Sequence, residues 1–75
     1  MTGITNYENL ANAIILQAVR DYRTTLKCLK RNPCNRDADR RKNEIERFFR
    51  SQLFTVLTSV DGEMLIRSLH EEVNT

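Results

Sequence analysis

A chain of 75 residues and 8.8 kDa has room for one small domain with a thin core. Its residues are 40% hydrophobic and 29% charged, the balance of a folding sequence and not of a disordered tail. So small a chain excludes a large enclosed substrate cavity, and its net charge of +2 excludes a strongly basic domain.

The elements are helical from end to end. Thr5-Asn6-Tyr7-Glu8 has the spacing of a capping box, with Thr5 as N-cap. Ala11, Ile14, Ile15, Ala18, Val19, Tyr22, Leu26 and Leu29 then recur every three or four residues, the stripe of an amphipathic helix. Asn32-Pro33 ends it, so a first helix is predicted over about residues 6–31. A turn over 32–36 folds the chain back, and a second helix runs over about 37–50, capped by Asn35 or Asp37. Ala38, Ile45, Phe48 and Phe49 form its inner stripe, with Arg40, Arg47, Arg50, Asp39 and Glu46 opposite. Pairs at four-residue spacing (Asp37 with Arg41, Arg40 with Glu44, Lys42 with Glu46, Glu46 with Arg50) are expected along it.

The phase breaks at Ser51, which is the natural N-cap of a short helix over about 52–57. A strand over Leu53 to Val60 is the rival reading, set aside because a lone strand has no partner here. After a turn over Thr58 to Gly62, a last helix of about 62–73 carries Leu65, Ile66, Leu69 and Val73 on one face, and Asn74 and Thr75 fray. The fold class is all-α: one long N-terminal helix against two shorter ones, with a short helical connector, in a single domain over 1–75.

Charge is laid out unevenly. Lys27 to Arg50 holds nine bases and four acids, whereas the chain beyond Arg50 sets Arg67 against Asp61, Glu63, Glu71 and Glu72. A basic middle and an acidic tail make an electric dipole if the fold keeps them apart. On the outer face of the first helix, Leu16 shares an azimuth with Arg20, Arg23, Lys27 and Lys30. An apolar anchor with a cationic rim suits a partner protein with an acidic surface. The bland alternative is one exposed leucine. A third reading buries Leu16 and Ala13 in a homodimer.

The second candidate is a nucleic-acid footprint of Arg36, Arg40, Arg41, Arg47 and Arg50 on phosphates. Interleaved acids weaken it, and an acidic last helix is unfit to enter a major groove. No catalytic constellation, cofactor motif or metal set emerges, so no enzyme activity is expected. His70 stands alone with acidic neighbours and is read as a boundary residue. Cys28 and Cys34 are too few for zinc. They are read as free thiols, with a small-loop disulfide as the alternative. The first ten residues contain no base and no apolar core, and no run is long enough to span a membrane. The expectation is a soluble, cytoplasmic protein.

Tyr7-Glu8-Asn9-Leu10-Ala11-Asn12-Ala13-Ile14-Ile15-Leu16-Gln17-Ala18-Val19, with Arg20-Asp21-Tyr22-Arg23, has a further bearing. So do Glu46-Arg47-Phe48-Phe49-Arg50-Ser51, Leu57-Thr58, Asp61-Gly62-Glu63 and Leu65-Ile66. Together they resemble short helical proteins of bacteriophages, prophages and other mobile elements of Gram-positive bacteria. The resemblance implies a context and no functional residue: small proteins of that kind often antagonise or regulate one host protein, CRISPR nucleases and other defence systems included.

Overall fold

The computed structural model describes the backbone from Thr2 to Asn74 and the side chains from Glu8 to Asn74. Four helices follow one another: α1 (Thr2–Arg31), α2 (Arg36–Phe49), α3 (Gln52–Leu57) and α4 (Gly62–Asn74). The fold is an all-α bundle in which α1 packs against the three shorter helices. Among the described residues there is no strand, so the extended reading of residues 53–60 falls away.

α1 is longer than its predicted span. It starts at Thr2 and not near Asn6, because nothing between those positions forbids helical backbone angles. Thr5 therefore lies inside the helix, and the side chain proposed to cap it lies outside the described ones. Thirty residues rising 1.5 Å each give about 45 Å. That one helix accounts for the 48 Å long axis of a molecule only 22 × 20 Å across. The Asn32 N–H closes the last turn on the Cys28 carbonyl at 2.9 Å before Pro33 stops the ladder.

The turn chemistry is local and complete. Asn35 Oδ1 accepts the Ala38 N–H at 3.0 Å and starts α2. Ser51 does the same for α3 by accepting the Phe54 N–H, and its hydroxyl also donates to the Phe48 carbonyl at 2.7 Å. One side chain thus ends α2 and begins α3. Asp61 Oδ1 accepts from Glu63 N–H at 2.9 Å and opens α4, which continues through Asn74 where fraying was expected. The frayed end foreseen at Thr75 lies outside the described residues.

The core sits around the α2–α3 break. Tyr22, Phe49 and Phe54 are its fully buried side chains, one from each of α1, α2 and α3. Their rings meet edge to face at 5.5 Å, with Phe48 joining Phe54 at 5.7 Å, a geometry that suits the ring quadrupoles. Val19 and Leu26 of α1 and Ile66 and Leu69 of α4 complete the cluster. Thr25, a residue outside the predicted stripe, is also buried, and its hydroxyl is satisfied by the Asp21 carbonyl at 2.7 Å.

α4 reaches this core through a close approach of two backbones. A Cβ on Gly62 would lie 2.0 Å from the Phe49 carbonyl oxygen, so the first residue of α4 has no room for a side chain. Ile14 departs from its predicted inward placement. It is 41% exposed, because its azimuth on α1 falls beyond the edge that α2 covers.

Candidate functional site

The outer stripe of α1 is only partly free. Leu16 is 54% exposed, and Arg20 and Lys27 are exposed beside it. Arg23 and Lys30 are not free outward cations: the Arg23 Nε lies 2.7 Å from Glu72 Oε2, and Lys30 Nζ donates to the Val73 carbonyl at 2.9 Å. Both belong to the flank of α1 that α4 covers. The five residues therefore divide into three that face solvent and two that clamp α4.

The basic face of α2 divides similarly. Arg36, Arg41 and Arg47 are exposed. Arg40 pairs with Asp37 at 2.6 Å, so Asp37 takes the residue three positions on and not Arg41. Arg50 bridges to Glu63 of α4 and lies 3.4 Å from Glu46. These contacts also correct the expected dipole. The acidic last helix folds back on the basic elements and neutralises part of them at Arg23 and Arg50. Each such exposed pair contributes little stability alone, but the pairs fix the azimuth of α4 on α1 and α2.

Glu46 is the second correction. It was placed on the outer face of α2, yet its side chain is only 12% exposed and looks toward α1 and α4. The Tyr22 hydroxyl donates to Glu46 Oε2 at 2.5 Å. His70 Nε2 of α4 lies 3.6 Å from the same oxygen, its ring edge-on to Tyr22, and Lys42 Nζ lies 3.7 Å away. Burial works to raise the Glu46 carboxyl, but the Tyr22 hydroxyl, Lys42, His70 and Arg50 together outweigh it and hold the carboxyl below its ordinary value. Burial, followed by the bond to that carboxylate, pushes the Tyr22 hydroxyl well above its ordinary range. Tyr22 is wholly buried, so the cluster joins three helices from within, while its outer members Lys42 and His70 line a shallow surface cleft between the ends of α1, α2 and α4. The signal was present in the sequence: a tyrosine in mid-stripe needs a partner for its hydroxyl, and Glu46 edges the facing stripe.

A groove between α1 and α2 was not foreseen. It holds about 520 Å³ and is floored by Ala13, Ile14, Ala18, Ile45 and Phe48. Gln17 crosses its wall and donates to Asp21 Oδ1 at 3.0 Å, and Glu44 stands opposite. Leu10, 60% exposed, lies one turn before Ile14 on the same face of α1.

No protein-family model, curated protein or solved structure matches the chain. The site must be read from its own geometry. Among the described residues no cluster of three or more His, Cys, Asp or Glu side chains could hold a metal ion. Cys28 and Cys34 are free thiols, so the disulfide alternative is not realised, and Cys28 Sγ accepts from Asn35 Nδ2 at 3.4 Å. Among the described residues no helix is long and apolar enough to cross a membrane.

Proposed function

We propose that this chain is a non-enzymatic interaction protein of a phage or mobile element that binds one host protein complex and inhibits or regulates it. A CRISPR nuclease or another defence complex is the class of target that the sequence resemblance suggests. The observation that carries the reading is the exposed Leu16, followed along the same face by the exposed Arg20 and Lys27, on a helix held rigid from behind. An aliphatic anchor with flanking cations suits an acidic surface, and a helix already fixed loses little conformational freedom on binding. Arg23 and Lys30 serve the surface indirectly by clamping α4.

The nucleic-acid reading rests on Arg36, Arg41 and Arg47, since Arg40 and Arg50 are engaged by carboxylates. Three phosphate contacts would give weak binding with a shallow salt dependence.

The test is capture from host lysate with tagged wild-type chain and with Leu16→Glu/Arg20→Glu, the bound species being identified by mass. A host protein retained by the wild type and lost by the double variant, with unchanged circular dichroism, supports the reading. Equal capture by both removes the α1 stripe. Retention of nucleic acid alone, released by modest salt, transfers the function to α2.

A further inference from the structure

We propose that the groove between α1 and α2 is filled by α1 of a second copy, running antiparallel, so that the protein is a two-fold homodimer. Two observations point to that occupant. The first is self-complementary shape. Leu10, Ala13, Ile14 and Gln17 form one uncharged stripe, with Leu10 60% and Ile14 41% exposed. A two-fold axis near Ala13 and Ile14 sets Leu10 of each copy against Gln17 of the other. The small Ala13 at the crossing lets the helix axes close to about 8–10 Å, and Phe48 and Ile45 then cover the incoming helix from the α2 side.

The second observation is charge. Asp21 and Glu44 make one end of the groove acidic. The same two-fold axis brings that end toward the N-terminal turns of the other α1, whose unpaired N–H groups carry partial positive charge. The first turn of α1 contains no acidic residue to neutralise it, and Glu8 lies on the α3 side, beside Ala11 and Leu57. Like charges are therefore kept apart. The dimer leaves Leu16 and Lys27 facing outward on both copies and does not depend on the host-binding reading.

Light scattering coupled to size exclusion tests it on the full chain. The wild type is expected at twice the 8.8 kDa chain mass. Ala13→Glu, at an exposed position that leaves the core intact, is expected to run as a monomer with unchanged helicity, while Leu16→Glu stays dimeric. A second arm reads the geometry directly: with Cys28→Ser and Cys34→Ser in place, Ala13→Cys should oxidise to a covalent dimer and Lys27→Cys should not. A wild type that stays monomeric at millimolar concentration, which assigns the groove to a different protein, overturns the proposal. So does a dimer that survives Ala13→Glu, or cross-linking that favours Lys27→Cys.

Discussion

Replacing Gly62 by alanine sets two contributions of opposite sign against each other. Alanine is the better helix former by about 1 kcal/mol in a helix interior, and the backbone of Gly62 has no positive φ that would reserve the position for glycine. Propensity alone therefore predicts a gain. The new Cβ, however, would sit 2.0 Å from the Phe49 carbonyl oxygen and 3.0 Å from its carbon, a full ångström inside the closest approach that Cβ atoms make. The obstacle is backbone at the end of α2, which cannot swing aside as a side-chain tip can. α4 must retreat, drawing Ile66 and Leu69 from the core and stretching the Arg50–Glu63 pair. Overpacking against a stiff neighbour costs about 3 kcal/mol at the upper end of its range. Subtracting the propensity gain leaves a net loss of about 2 kcal/mol, a large share of the stability of so small a chain. With a urea slope of about 1 kcal/mol/M, the midpoint should fall by about 2 M with the slope unchanged. Urea melts followed by circular dichroism measure it, and Gly62→Ser should behave alike. A Gly62→Ala chain as stable as the wild type, or more so, would refute the close approach.

Three further outcomes are expected. Tyr22→Phe should cost about 1–2 kcal/mol and Glu46→Gln somewhat more, with a coupling of about 1–2 kcal/mol in the double-mutant cycle; a coupling near zero would mean that the hydroxyl and the carboxylate do not meet. Because the folded state holds the Glu46 carboxyl below its ordinary value of 4.5, that group's contribution is fully present above the ordinary value and is lost as pH falls through the folded one. Thermal melts of the wild type should therefore drop more steeply below about pH 4.5 than those of Glu46→Gln, and parallel curves would deny Glu46 that role. Ser51→Ala removes the α3 cap and the bond to the Phe48 carbonyl together and should cost about 2 kcal/mol in the same melts, more than Asn35→Ala at about 1 kcal/mol; equal losses would show that the Ser51 hydroxyl serves α3 alone.

The helices were legible because their stop signals are strong and local. Pro33 cannot continue a ladder, Ser51 sits where the apolar phase changes, and Asp61 precedes a clean periodic run. The start of α1 was misplaced since Thr5 has the residue type of a cap, and only the pairing of its neighbours decides whether it caps or continues. The side-chain roles were harder for a different reason. Helical azimuth tells which residues share a face but not where the neighbouring helices end, so Ile14 and Glu46 were each assigned to the wrong side of a boundary. Arg23 and Lys30 shared the azimuth of Leu16 and still differ from it, because α4 returns along that flank. A periodicity argument made one helix at a time cannot see that return.

The four aromatic rings and the Ser51 bridge all lie at one level of an otherwise rod-shaped molecule, where α2 gives way to α3 and Gly62 brings α4 in. Rigidity is thus gathered at a waist, and substitutions on exposed faces away from it leave that girdle undisturbed. Kinship to this chain is then best judged by a tyrosine, a phenylalanine pair, a serine hinge and a glycine at matching intervals, whatever the intervening residues have become.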